Sequence, residues 1–213
     1  MKTLLLLSSS KFLNNDLTDY LGRPLSSLRI AHIIDASKGE KDPINLPCLG
    51  RARGIFRQNG CYFEDLYLEG KKETELRSIL KSFDAVFVNG GSTFYLLRAV
   101  LASGFAEVVK ELLPQGLIYI GSSAGAYVAC PTIEMTLWID PHKYDYCGLT
   151  DFKAMNLVPF LVTTHYTTKQ RDILRANTAA ANYPVKILSN KQAILVKDDY
   201  IQILGGKEIK LFK

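Results

Sequence analysis

Histidine and cysteine are scarce in this chain of 213 residues, and neither type forms a metal-binding pattern. The sequence holds three histidines and four cysteines, without a CxxC spacing or a histidine pair. Structural zinc sites need such clustered ligands, so the sequence predicts no metal and no cofactor. The thiols of Cys48, Cys61, Cys130 and Cys147 are expected to be reduced, as is usual in the cytoplasm.

Long apolar runs and clusters of positive charge are missing as well. No stretch approaches the ~20 apolar residues that span a bilayer, and the run at residues 4–7 is shorter than the apolar region of a signal peptide. The 26 Lys and Arg outnumber the 21 Asp and Glu and give a net charge of +5, but the basic residues are scattered. We therefore expect neither membrane association nor nucleic-acid binding.

The composition that remains, 47% hydrophobic and 22% charged, predicts one domain over residues 1–213 with a continuous core. Short apolar runs alternate with segments of helical periodicity, which predicts an α/β fold with a mainly parallel sheet and helices on both faces. The predicted strands are 4–7, 28–36, 63–68, 85–88, 117–120 and 157–162, and the predicted helices lie within 13–21, 48–58, 76–83, 94–112, 126–129 and 169–181. Short runs at 185–188, 192–196, 200–204 and 208–212 predict an antiparallel C-terminal extension.

A G-x-S-x-G sequence at residues 121–125 follows a predicted strand and precedes a predicted helix. This is the context of a nucleophile elbow, in which Ser123 would be the nucleophile and the amide of Ala124 would face a developing oxyanion. The motif is short, and a merely tight turn is the alternative interpretation.

A second glycine-rich turn, residues 89–93, also joins a strand to a helix. Its amides lie where an anion would be stabilised, so Gly91 could supply a second oxyanion donor. The alternative is a turn that needs glycine only for its backbone conformation. A phosphate site is disfavoured because neither nucleotide-binding glycine pattern occurs.

A serine nucleophile requires a base, and His165 is the best of the three histidines because it ends a predicted strand on the same rim as Ser123. His32 lies inside a predicted strand and is interpreted as a core residue. His142 lies in a loop and is interpreted as a surface or substrate-facing residue. Only 42 residues separate Ser123 from His165, too few for the α/β-hydrolase order of serine, acid and histidine.

Three segments resemble the peptidase E family, the aspartyl dipeptidases of serine peptidase family S51: residues 88–94, 119–126 and 129–133. The similarity continues through 139–141, 154–160, 165–166 and 204–206 and so covers most of the chain. It implies a class I glutamine-amidotransferase-like fold in which serine replaces the nucleophilic cysteine. It also implies Ser123 as the nucleophile, His165 as the general base, and the amides of Gly91 and Ala124 as the oxyanion hole.

The sequence departs from this family at the residue that orients the histidine. Where the family has a catalytic Glu in a Pro-Glu-Gly turn, this chain has Asn190. Asparagine can accept the imidazole N–H but cannot stabilise the imidazolium as a carboxylate does. Glu134, Asp140 and Asp145 are therefore alternative orienting residues, and slower chemistry is expected.

The second departure concerns specificity, because the family loop whose arginine pairs with the substrate aspartate is shortened here. Lys169 and Arg171 remain near this position and could bind an acidic group; otherwise they are solvated residues at the start of a helix. The expected activity is a serine-type dipeptidase acting on short peptides, without strict Asp specificity. The alternatives are a weakened homologue that binds a small ligand and a hydrolase of another amide or ester. A homodimer is left open.

Overall fold

The computed structural model describes residues 1–39, 46–139 and 146–211. Within these residues a seven-stranded sheet forms the centre of the fold, with the strand order β3-β2-β4-β5-β1-β8-β9. The strands are β1 Thr3–Leu7, β2 Arg29–Ile33, β3 Tyr62–Leu66, β4 Ala85–Val88, β5 Ile118–Ser122, β8 Ala193–Lys197 and β9 Tyr200–Leu204, and a separate pair is formed by β6 Leu161–Thr163 and β7 Val185–Ile187.

The first five strands of this order are parallel to one another. Strand β8 runs antiparallel to β1, and β9 runs antiparallel to β8. Because parallel strands end at the same edge, the segments that follow β1, β4 and β5 meet at one rim of the sheet. This rim carries the candidate site.

Helices cover both faces of the sheet, as predicted. They are α1 Thr18–Leu21, α2 Pro47–Gln58, α3 Glu73–Leu80, α4 Thr93–Ser103, α5 Phe105–Leu112, α6 Ala124–Tyr127 and α7 Arg171–Ala180. Strand β1 shows why two cores result: Leu4 and Leu6 belong to the cluster under α3 to α6, whereas Leu5 and Leu7 belong to the cluster under α2. Successive strand residues point to opposite faces, so an unbroken apolar run suits a strand buried on both sides.

Several predicted elements differ from the structure. The predicted strand 28–36 ends at Ile33, and a 3₁₀ helix follows at Asp35–Gly39. The segment 13–21 forms a 3₁₀ helix, Ser10–Asn14, and the one-turn α1 instead of a continuous helix. The predicted strand 157–162 shortens to β6. Strand β7 pairs in parallel with β6, so the antiparallel extension consists of β8 and β9 alone. No strand forms at 208–211, the described part of the last predicted run. Hydrophobic periodicity did not predict these differences, because it does not indicate which strand a short apolar segment pairs with.

A close approach between two backbones joins β4 to the turn after β5. A Cβ added at Gly125 would lie 2.1 Å from the carbonyl oxygen of Val88, so only glycine fits there. The Tyr119 hydroxyl donates a hydrogen bond of 2.7 Å to the Gly125 carbonyl. Burial raises the pKa of Tyr119 well above its usual value, which keeps this donor protonated.

In the described part of the chain, no helix is long and apolar enough to cross a membrane.

Replacing Gly125 by alanine should destabilise the protein by about 1–3 kcal/mol, because the new methyl group would collide with the backbone of β4. For a chain of this size that corresponds to a fall in Tm of about 2–4 °C per kcal/mol, which differential scanning calorimetry would measure.

Gly54→Ala is the matched control for Gly125→Ala. Gly54 lies inside α2, where an added Cβ meets no atom within 4 Å. This substitution should stabilise the protein by about 0.5–1 kcal/mol through the greater helix propensity of alanine. Equal Tm values for the two variants would contradict the proposed packing of Gly125.

Candidate active site

Ser123 lies directly after β5 at the rim of the sheet, with a strained backbone. Its φ of 52° and ψ of −108° lie outside the regions that residues with a side chain favour. Its N–H donates to the carbonyl of Leu7 at 3.0 Å, and its own carbonyl accepts from the amides of Ala126 and Tyr127 at 2.8 and 3.0 Å. These three hydrogen bonds hold the sharp turn that presents the Ser123 side chain beyond the strand.

His165 approaches this hydroxyl from the segment after β6. Its Nε2 lies 2.9 Å from Ser123 Oγ, a distance at which the ring can accept the hydroxyl proton. The backbone of His165 is also left-handed, with φ of 60°. The two residues of the pair are thus both held in conformations that the surrounding structure must enforce.

Asn190 lies on the other side of the imidazole. Its Oδ1 is 2.5 Å from His165 Nδ1. Because an amide oxygen only accepts, this contact places the ring proton on Nδ1 and leaves Nε2 free to accept from Ser123. The turn that carries Asn190 is held by Gln192, whose Oε1 accepts from the amide and the hydroxyl of Ser189 at 3.0 and 2.9 Å.

The glycine turn after β4 packs against the Ser123 side chain. A Cβ added at Gly90 would lie 3.1 Å from Ser123 Cβ and 3.7 Å from its Oγ. Gly91 has φ of +140°, and a Cβ there would lie 2.5 Å from the carbonyl oxygen of Ala36. Both expected oxyanion donors therefore belong to turns that adjoin Ser123: Gly91 in this turn, and Ala124 as the first residue of α6, where amides have no partner within the helix.

The support behind Gly91 is itself anchored by a buried carboxylate. Asp35 accepts hydrogen bonds from the amides of Leu68 and Glu69 at 2.7 and 3.0 Å. It precedes Ala36, whose carbonyl accepts from the Ser92 amide at 2.9 Å. Burial raises the pKa of Asp35, against the opposing effect of these amides.

Cysteine is a weaker candidate nucleophile than Ser123 at this rim. The Cys48 thiol donates to the carbonyl of Gly90 at 3.4 Å. Burial raises the pKa of the Cys48 thiol, and it raises the pKa of Cys130 to about 12. Both thiols are therefore protonated near neutrality, and a protonated thiol is a poor nucleophile.

A model of peptidase family S51 matches residues 4–204, which include every residue of the site described above. The chain belongs to peptidase family S51.

Individual relatives agree with this assignment. An uncharacterised peptidase of Pasteurella multocida is 32% identical across 97% of this chain and 99% of its own. A Nostoc protein named peptidase E is 28% identical across 76% of this chain and 68% of its own. A Drosophila melanogaster protein named as a probable alpha-aspartyl dipeptidase is 32% identical across 72% of this chain and 65% of its own.

A crystal structure gives the same result for the fold. A Listeria monocytogenes protein assigned to peptidase E superposes with a TM-score of 0.80 and 26% identity, covering 99% of this chain and 100% of that one. This likeness confirms the class I glutamine-amidotransferase-like fold that the sequence predicted.

Glu134 does not join the Ser123–His165–Asn190 row in this S51 member. Glu134 is exposed at the start of a 3₁₀ helix, Glu134–Leu137, where its amide bonds to Thr132. Asp140, His142 and Asp145 lie outside the described residues. Of the alternative orienting residues that can be compared, Asn190 is thus the one in contact with the imidazole.

Lys169 and Arg171 are exposed at the start of the helical segment after His165. Their segment begins with a capping box formed by Thr167 and Gln170. Both residues follow His165 closely along the chain, but within the described residues neither forms an ion pair with an acidic side chain. Their cationic groups remain available to solvent or substrate.

His32 is a core residue, as predicted. It is fully buried among the rings of Phe56, Phe63 and Phe87. Its Nδ1 contacts Asp65 Oδ1 at 2.7 Å on the neighbouring strand. Despite its burial, the carboxyl of Asp65 has a lowered pKa because His32 and Arg53 both bond to it.

Ser8 is a supporting residue that the sequence analysis missed. It is fully buried at the end of β1. Its Oγ accepts from the His165 amide at 2.8 Å and donates to the Leu188 carbonyl at 3.4 Å, so it links the segments of His165 and Asn190. The only signal in the sequence is a polar residue directly after a buried apolar strand, a position where site residues occur.

Tyr127 also supports His165 from α6. Its hydroxyl accepts from the amide and the hydroxyl of Thr164 at 3.2 and 2.8 Å. The helix that begins after Ser123 is thereby bonded to the residue that precedes His165.

We expect Ser8→Ala to lower the free energy of unfolding by about 1–3 kcal/mol, because the amide of His165 loses its acceptor. The loosened ring should also slow the reaction of Ser123 with a fluorophosphonate by about tenfold, since a displaced base no longer fits the hydroxyl. Urea unfolding and intact mass spectrometry measure the two effects.

Ser10→Ala is the control for this prediction, because the Ser10 hydroxyl is buried without a partner in the described structure. Its removal should not lower the free energy of unfolding, because a buried hydroxyl without a partner is itself destabilising. If Ser8→Ala behaved like Ser10→Ala in both measurements, Ser8 would have no role in positioning His165.

Proposed function

We propose that this S51 member is a serine peptidase that hydrolyses short peptides through an acyl-enzyme on Ser123. The row from Ser123 Oγ to His165 Nε2 at 2.9 Å and from His165 Nδ1 to Asn190 Oδ1 at 2.5 Å supports the proposal most directly. It contains a nucleophile, a base and a group that orients the base, which is the arrangement that serine hydrolysis requires.

In the proposed first half-reaction, Ser123 Oγ attacks the substrate carbonyl carbon while His165 Nε2 takes the hydroxyl proton. The negative charge on the tetrahedral intermediate's oxygen would be stabilised by the amides of Gly91 and Ala124. The C–N bond then breaks, and His165 donates its proton to the leaving amine. In the second half-reaction, a water molecule that gives its proton to His165 attacks the ester carbon. The bond to Ser123 Oγ breaks, His165 returns the proton to Oγ, and the acid product leaves.

Asn190 would hold the imidazole in the required tautomer without adding negative charge. The imidazolium that forms in each half-reaction is therefore less stabilised than beside a carboxylate. We expect slower turnover than with an acidic residue at this position.

Short peptides are the proposed substrates, with Lys169 and Arg171 available to a substrate carboxylate at the rim. A lysine or a single arginine at the start of a solvated helix lacks the fixed geometry of a buried arginine fork. Strict selection of an N-terminal aspartate is therefore not expected. Action in the cytoplasm is a further prediction from the sequence, and a homodimer is left open.

The decisive experiment is intact mass spectrometry after treatment with a small fluorophosphonate. Wild-type protein should gain one adduct and Ser123→Ala none, and Ser123→Ala should lose dipeptide hydrolysis by several powers of ten. Ser26→Ala, which removes an exposed serine far along the chain from the site, should be labelled like the wild type.

Other outcomes would overturn this proposal. Activity of Ser123→Ala above about 1% of wild type would exclude Ser123 as the nucleophile. An unlabelled but folded wild type that binds a dipeptide without cleaving it would identify a weakened, ligand-binding homologue, which the neutral Asn190 makes the main alternative. Faster turnover of simple esters than of every dipeptide tested would indicate a non-peptide hydrolase.

Substituting Asn190 tests the role of charge in this row. Asn190→Asp should raise kcat by about tenfold, because a carboxylate stabilises the imidazolium that the amide only orients. Asn190→Leu should lower kcat by about tenfold or more, because the ring loses its acceptor. Steady-state kinetics on one dipeptide measure both, and a lower kcat for Asn190→Asp than for Asn190→Leu would contradict the assigned role.

A further inference from the structure

A cavity of about 720 Å³ opens beside Asn190, next to the catalytic row. It is formed by the segment from Lys11 to Tyr20 after β1, the turn that carries Asn190 and Lys191, and Gly205 after β9. Its volume falls within the range of small-molecule sites, which is about 300–1,000 Å³. The mechanism proposed above does not use this space.

We propose that this cavity binds a small organic carboxylate, at a site separate from the peptide bond that is cleaved. Charged and aromatic residues line the cavity. Because the cavity lies beside Asn190, a ligand bound there would also affect His165.

The lining charges favour an anion. Lys11 and Lys191 both line the cavity, and neither forms an ion pair within the described residues. Asp16 also lines it, but its Oδ1 accepts the Thr18 amide at 2.9 Å, and hydrogen bonds from Thr18 lower its pKa. The lining thus contains two lysines without ion pairs and one carboxylate that is already hydrogen-bonded. A carboxylate ligand would form charge-assisted hydrogen bonds with the lysines.

The remaining surface favours a ligand with an apolar body. Two aromatic residues, Phe12 and Tyr20, are among the lining residues. The backbone of Gly205 packs closely against the other lining residues. A Cβ there would lie 2.0 Å from the Lys191 carbonyl oxygen and 2.9 Å from Phe12, so the wall requires glycine at this position. A ring or short aliphatic group bearing one carboxylate satisfies both the rings and the lysines, whereas an inorganic anion would use only the lysines.

The position of the cavity links it to His165. Lys191 follows Asn190 directly, and Asn190 contacts His165 Nδ1. Positive charge at Lys11 and Lys191 disfavours the imidazolium that the proposed function requires, and a bound carboxylate would offset that charge. This second step, unlike binding itself, depends on the proposed function.

Titration of the folded protein with benzoate, followed by ¹H–¹⁵N NMR, tests the binding. Benzoate should cause saturable shifts at the amides of Lys11, Lys191 and Gly205. Benzamide, which has the same ring without the charge, should bind at least tenfold more weakly, and inorganic phosphate should also bind more weakly than benzoate.

Charge removal provides the matched comparison. The double variant Lys11→Gln/Lys191→Gln should weaken benzoate binding at least tenfold. The double variant Lys72→Gln/Lys81→Gln removes two exposed lysines beside α3 and should bind benzoate like the wild type. Equal binding by both variants, equal binding of benzamide, tighter binding of phosphate, or no saturable shift at the three amides would each overturn the proposal.

The rate of fluorophosphonate labelling at Ser123, with and without saturating benzoate, separates this inference from the proposed function. A severalfold faster rate in wild type and not in Lys11→Gln/Lys191→Gln supports the link to His165. Saturable binding to a protein whose Ser123 is never labelled would retain the carboxylate site and reject the hydrolase. Labelling of Ser123 in a protein that does not bind benzoate would retain the hydrolase and reject the site.

Discussion

The left-handed turn at Ser123 is the constraint on which the rest of the site depends. A residue with a side chain adopts φ of 52° only where neighbouring contacts compensate for the strain. Here the compensation comes from β1, whose Leu7 carbonyl accepts the Ser123 amide, and from Gly125, whose missing side chain lets β4 approach. Three parallel strands therefore cooperate to expose one hydroxyl, and a change in any of them would move it.

The second support of the site is the end of β1. Ser8 accepts from the His165 amide one residue after Leu7 has accepted from Ser123. Ser123 and His165 are thus both hydrogen-bonded to consecutive residues at the end of β1. The two residues are 42 positions apart in the chain, and both have a positive φ. Their shared anchoring at the end of β1 explains how they stay within hydrogen-bonding distance.

The sequence predicted the architecture well where local patterns and burial agree. The run at residues 4–7 is apolar throughout because its two faces enter two different cores. The G-x-S-x-G segment is itself typical of a sharp turn between a strand and a helix. The prediction from periodicity failed for residues 13–21 and 208–211, where short apolar stretches depend on partners distant in the chain. Ser8, Tyr127 and Gln192 could not be found for the same reason, since their roles come from contacts across strands. Asn190 was found only through resemblance to a family, because no local pattern marks it.

A neutral orienting residue changes what the surroundings of His165 can tolerate. A carboxylate at position 190 would place a negative charge beside the imidazole, next in the chain to Lys191. With Asn190 there instead, the row carries no negative charge, and neither Lys191 nor Lys11 forms an ion pair among the described residues. The row therefore lacks a negative charge, while the cavity beside it carries positive charge without an ion-pair partner in the described residues. In the proposed site, a bound carboxylate from solution would supply the negative charge that the chain does not.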